Sequence, residues 1–237
     1  MVSFSNIISK TKSVTYNVGL RNYMLGVYNY MTLALALSGV VAYLTAYSGL
    51  AIAMIKSPFG VIVSFAPLIV SIIMSVKIGS AKINTIKTLY FLYAILMGVS
   101  LSTLFLAFSG ILIAKTFFIT ASMFGSIGIY GYTTKKDLSG YGHILMMIVF
   151  GLLITSIVNL FTQSSGLQFG ISCISVIVFS LLVAYDTQNL KQMYYSVCHD
   201  QNLATRVGIF GALQLYIDFV AIFVHLLQVF ANSNRRN

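Results

Sequence analysis

The chain contains no glutamate and no tryptophan, and its 237 residues include only two prolines and two cysteines. All four of its acids are aspartates: Asp137, Asp186, Asp200 and Asp218. Charged residues make up 8% of the chain against about 25% in an ordinary soluble domain, which excludes a water-soluble globule. Cys173 lies in an apolar run and Cys198 in a polar one, a pattern that gives no disulfide framework. With no tryptophan for an interfacial belt, that role falls to tyrosines such as Tyr23, Tyr28, Tyr30, Tyr43 and Tyr47. The net charge of +10 is spread along the chain rather than gathered in a stripe, so nucleic acid is not an expected partner.

What the chain does have is long uncharged sequence. Asn22 to Ile55, Ser57 to Val76, Thr88 to Ala114, Thr116 to Thr134 and Leu138 to Tyr185 contain no Asp, Glu, Lys or Arg. Each can hold a membrane span of about 20 residues, and the last can hold two. The reading is an all-α integral membrane protein whose partner is the lipid bilayer. Its seven expected helices are Tyr23 to Tyr47, Phe59 to Val76, Leu89 to Phe108, Thr116 to Tyr132, Gly142 to Thr162, Leu167 to Tyr185 and Val207 to Phe230. Residues 1–22 form a tail, 23–231 the transmembrane domain, and 232–237 a short basic tail. Gln163 to Gly166 supply turn chemistry, Pro58 opens the second span, and Pro67 predicts a kink inside it. Between spans three and four only a tight turn fits. The apolar stretch after Lys10, Lys12 and Arg21 is too long for a signal peptide and reads as a retained helix.

Orientation follows from the basic residues. Lys10, Lys12, Arg21, Lys77, Lys82, Lys87, Lys135, Lys136, Lys191 and Arg206 fall on the N-terminal side; Lys56, Lys115, Arg235 and Arg236 fall on the other. That bias predicts a cytoplasmic N-terminus. Seven spans then place the C-terminus outside, and a re-entrant span would return it.

Asp186 and Asp218 lie in apolar sequence, where a carboxylate is expensive unless protonated, paired or wet. Asp186 sits at the end of the sixth expected span and Asp218 about three turns into the seventh. The chain turns back between them, so both reach similar depth near the N-terminal side. Gln214, Asp218, Ala221, His225 and Gln228 recur every three or four residues along one stripe of the last helix, which therefore faces protein or water. His225 reads either as a neutral imidazole bonded to a neighbouring helix or as a proton relay. Two carboxylates in contact cannot both ionise cheaply, so such a pair shares a proton; doubly ionised, it becomes a hard-oxygen site for a divalent cation such as Ca²⁺. Protons and cations then compete. Ala94, Gly98 and Ser102 form a small-residue row for close helix packing, and Ser156, Asn159 and Gln163 are candidates for interhelical hydrogen bonds. Cys198, His199 and Asp200 are metal-ligand types, yet three adjacent residues rarely converge on one ion.

Three elements, Tyr-Asp-Thr-Gln at Tyr185 to Gln188, Leu-Tyr-Ile-Asp-Phe at Leu215 to Phe219, and the segment Tyr130 to Leu138, resemble the transmembrane Bax inhibitor motif family in its bacterial branch. The resemblance covers essentially the whole chain. It implies a seven-helix bundle with the last helix central, set in the cell inner membrane. It also implies a pH-sensitive calcium leak in which Asp186 and Asp218 form a hydrogen-bonded gating pair and bind Ca²⁺ transiently, with no cofactor. In that family a basic residue on the second helix neighbours the acids. Lys77 is the nearest match, at the end of its span with Lys in place of Arg, and it equally fits a snorkelling anchor.

Two other functions fit part of the pattern. Intramembrane aspartyl proteases also place two aspartates on adjacent helices, but here Tyr216 and Ile217 precede Asp218 instead of a Gly-x-Gly element, so an enzyme is not expected. A regulatory membrane protein that binds another, such as a membrane AAA protease, would have only the N-terminal tail and the loop from Lys191 to Arg206 as docking surface.

Overall fold

The structure, a computed structural model, describes residues 4–57 and 59–234. The described residues form eight α-helices and one 3-10 turn. The helices are α1 (Phe4–Tyr47), α2 (Leu50–Lys56), α3 (Phe59–Lys77), α4 (Ile83–Ala107), α5 (Gly110–Thr133), α6 (Gly142–Thr162), α7 (Ser165–Val197) and α8 (Gln201–Asn234); the 3-10 turn is Ser139–Tyr141. Six segments are long and apolar enough to cross a membrane: Val18–Tyr47, Ile83–Ala107, Gly110–Thr133, Ser139–Thr162, Ser165–Val197 and Gln201–Ser233. The second expected span is the exception, because the apolar part of α3, Ile62–Lys77, is shorter than these six.

Several ends move relative to the sequence reading. Part of the expected N-terminal tail is helical, since α1 begins at Phe4. The short helix α2 fills a segment read as loop, entered through Gly49 at φ 76°, a left-handed conformation that glycine adopts without a Cβ clash. The tight turn between α4 and α5 is two residues, Phe108 and Ser109, and Ser109 Oγ caps α5 by accepting from Leu112 N at 3.4 Å. Pro58, Arg235 and Arg236 lie outside the described residues.

Without a hydrophobic drive between helices in lipid, small residues and polar contacts position the bundle. Ala94, Gly98 and Ser102 are all buried on α4. A Cβ on Gly98 would lie 2.6 Å from the Ser38 carbonyl oxygen, so only glycine lets α1 and α4 meet this closely. α3 continues through Pro67, which has no N–H to offer the Val63 carbonyl one turn back. Ser100 of α4 approaches that carbonyl at 3.5 Å while also bonding Leu96 O at 3.1 Å, so a neighbouring helix partly makes good the lost bond.

α8 packs against α1, α3, α4, α5 and α7, whereas α6 lies chiefly on α7. The apolar window of α8 is 72% buried against 11% for α6, making α8 the most enclosed of the six. The outward faces carry large apolar side chains such as Phe65, Phe118, Met147, Leu160 and Phe161, as a lipid-facing surface requires.

Candidate functional site

α7 and α8 form an antiparallel hairpin that brings the two intramembrane acids together. Its turn is built by Asp200, whose Oδ1 accepts from Asn202 N at 2.9 Å and Leu203 N at 3.1 Å and so caps α8. That role accounts for the third acid, and among the described residues no group of three or more His, Cys, Asp or Glu side chains is placed to hold a metal ion. Cys173 and Cys198 are both free thiols.

The hairpin brings the carboxyl groups of Asp186 and Asp218 close enough to interact directly. A bond between two carboxyls requires one shared proton. Asp218 is 4% exposed at the middle of α8, and among the described residues no donor reaches its buried Oδ2. Asp186 is half-buried. It is not at a helix end: α7 runs on to Val197, about three turns further. Both acids are therefore interior to their helices.

Leu190 lies one turn from Asp186 toward the α7–α8 turn, and it covers Gly211 of α8 so closely that a Cβ there would meet Leu190 Cδ2. Leu190 is 1% exposed, which makes this contact an apolar seal on one side of the acid pair. On the other side the α8 stripe continues to His225, whose ring stacks on Phe179 of α7 at 6.3 Å between centroids. Gln228 then accepts from Gln168 Nε2 at 2.9 Å and from Ser172 Oγ at 2.8 Å, and Gln168 Oε1 accepts from Asn159 Nδ2 at 2.8 Å. This network joins α6, α7 and α8, with Asn159 in the interhelical role its sequence position implies. Beside it opens a cavity of about 360 Å³ lined in part by Gln163, Ser164 and Asn232.

The remaining candidates lie apart from the pair. Gln214 is half-buried on the α8 stripe. Lys77 is exposed as the last residue of α3, and among the described residues no cation accompanies either carboxyl.

Two of the sequence elements that carry the family resemblance touch each other. Gln188 Oε1 accepts from Leu138 N at 2.7 Å, and Gln188 Nε2 donates to Lys136 O at 2.8 Å, so the residue two places after Asp186 holds the loop between α5 and α6. Lys191 Nζ donates to Tyr132 O at 3.2 Å and lies 5.4 Å from the centre of the Tyr132 ring, closing the C-terminal end of α5. Gly131 permits this approach, since a Cβ there would sit 2.5 Å from Ala184 O. In the loop itself Asp137 Oδ1 accepts from Ser139 N at 3.0 Å and Ser139 Oγ at 2.7 Å, and these bonds hold its carboxyl below the usual carboxylate range.

The fold and this buried pair define a multi-pass helical membrane protein with an acidic couple between its last two helices. Residues 20–235 match the family model described as "Inhibitor of apoptosis-promoting Bax1". The inner membrane protein YbhL of Escherichia coli (strain K12) is 39% identical over 217 residues, covering 90% of this chain and 93% of YbhL. The RP147 protein of Rickettsia prowazekii (strain Madrid E) is 41% identical over 234 residues, covering 98% of this chain and 99% of RP147. The chain belongs to the Bax inhibitor family.

Proposed function

We propose that this protein is a pH-sensitive calcium leak of the inner membrane, gated by Asp186 and Asp218. The observation that carries the reading is the close approach of the Asp186 and Asp218 carboxyl groups between two apolar, membrane-length helices, α7 and α8. A protonated pair latches the two helices. Loss of the shared proton replaces the latch by repulsion and offers up to four oxygen acceptors to a hard cation. Four oxygens fall short of the six to eight of a stable Ca²⁺ site, which suits transit rather than retention. Leu190 over Gly211 closes the path on one side of the pair, and Phe179 with His225 narrows it on the other.

In this reading α3 completes seven crossings, α8 is the central helix, and the basic bias sets the N-terminus in the cytoplasm. The E. coli relative's description as an inner membrane protein supports the location. Gln214 and His225 line the α8 stripe, and Lys77 serves as an interfacial anchor. The test is calcium flux into proteoliposomes across a pH series for wild type, Asp186→Asn, Asp218→Asn and the double variant. Unchanged flux with unchanged pH dependence in all three variants sinks the gate.

A further inference from the structure

α5 packs on α7 and α8, and among the described residues it makes no comparable interface with α1 or α4. The gap left between α5 and the α1–α4 pair is a crevice of about 310 Å³. Its floor is Phe219, Val220 and Phe223 of α8, and its walls include Phe105 of α4 and Phe117 of α5. The lining is almost wholly apolar; the one hydroxyl at its edge, Ser38 Oγ, is spent on Leu35 O at 3.1 Å.

Three observations identify what fills it. The crevice lies on the half of the bundle near the α4–α5 turn, where Gly110 lines it, so it opens at the depth of one leaflet. Its rim is continuous with the lipid-facing surface: Phe118, which lines it, is 70% exposed, and Ile111 on the same face of α5 is 84% exposed. Lys115 lies on that face between them, exposed, about one turn from each and close to the end of α5. An apolar crevice of this kind does not hold water well, and one open to lipid takes the solvent around it.

We infer that the crevice between α5 and the α1–α4 pair is a binding site for one acyl chain of an anionic phospholipid, with the headgroup phosphate held by Lys115. An acyl chain lies along the crevice over the Phe219 and Phe223 floor, and the ammonium reaches the phosphate by snorkelling along the helix. Gly39 lines the crevice, and a Cβ built there meets nothing within 4 Å, so a larger side chain has room to occupy the space.

The absence of tryptophan makes the test direct. Phe117→Trp gives a single indole in the crevice, and Phe161→Trp on the outer face of α6, where Phe161 is 85% exposed, gives a bulk-lipid reference. Both are placed in phosphatidylcholine vesicles containing a small fraction of phosphatidylglycerol, with bromine on the acyl chains of one lipid or the other. The expected result is about fivefold preferential quenching of the crevice indole by brominated phosphatidylglycerol, lost in Lys115→Gln, with no preference at the reference site. Gly39→Leu should remove the quenching by filling the space. Photo-crosslinking the unaltered chain with an acyl-diazirine phosphatidylglycerol should label residues 35–42 and 101–118. Equal quenching by both lipids at both indoles, a crevice indole that neither lipid quenches, or labelling spread evenly over the outer helix faces would each overturn the site.

Discussion

Gln188 and Leu138 are 50 residues apart in sequence and joined at 2.7 Å, the Gln188 carbonyl accepting from the Leu138 N–H. The same side chain donates to Lys136 O at 2.8 Å, so one amide satisfies a donor and an acceptor of the stretch that leads into the Ser139–Tyr141 turn.

Gln188→Ala removes both bonds and leaves partly buried backbone groups unpaired. We expect a loss of about 1–3 kcal/mol, read as a lower midpoint of thermal unfolding in detergent. Gln188→Glu keeps the acceptor and loses the donor, so its loss should be smaller than that of the alanine variant; an equal loss would mean that the Lys136 bond carries the whole effect.

If Asp186 and Asp218 act as one proton-sharing unit, either Asn substitution should flatten the dependence of flux on pH, which for a one-proton gate is at most about tenfold per pH unit. The double variant should resemble either single variant rather than sum them, because coupled groups are not additive. A pH series in proteoliposomes measures this, and two independent, additive effects would show that the acids act separately.

Leu190→Ala should open the seal over Gly211 and raise the basal flux, while lowering stability by about 2–5 kcal/mol through the cavity left behind. Gly211→Ala does the opposite in space: its Cβ meets Leu190 Cδ2, so the Leu190 side chain must shift to make room. Flux assays paired with unfolding midpoints distinguish a leakier fold from a weaker one.

Gln228→Leu breaks the bonds from Gln168 and Ser172 and leaves the Gln168 amide without its acceptor, while Ser172 Oγ keeps the Gln168 carbonyl at 2.8 Å. Interhelical hydrogen bonds in membranes average about 0.6 kcal/mol, so a loss of roughly 1–2 kcal/mol is expected by unfolding in mixed detergent. Gln228→Glu retains acceptor oxygens and should recover part of it at a pH where it is ionised.

The Asp137 carboxyl is held below its usual range by the Ser139 hydroxyl and amide. A depressed carboxyl contributes stability that is present above the unfolded-chain pKa and disappears as pH falls through the folded one. Ser139→Ala should return Asp137 toward the ordinary value, a change that carboxyl-carbon NMR titration reads directly. Because the group is fully exposed, unfolding midpoints should barely move.

Hydropathy located the spans well where polar sequence and helix end coincide, as at Gly142 and Thr162 of α6. It misplaced the end of α7 because Gln188, Asn189 and Lys191 are poor in apolar character yet compatible with helix; hydropathy marks where lipid ends, whereas helix continues until something breaks it. The same reason extends α1 to Phe4. The α8 stripe made Asp218, His225 and Gln228 legible, since periodicity is a property of one helix. The Gln188 clamp, the Leu190 seal and the crevice beside α5 depend on which helices meet, and no local pattern encodes that. Gln168 and Ser172 lie four residues apart, on one face of α7, but nothing in their spacing names Gln228 as the partner.

Three ties connect α7 to α5 within a few turns of Asp186: Gln188 to the loop, Lys191 to Tyr132, and the backbone contact of Gly131 with Ala184. Together they make α7 a poor candidate for sliding or rotating alone. In the proposed gate, a displacement of α7 that parts Asp186 from Asp218 therefore draws on α5 as well, and on the contacts α5 itself makes with α8.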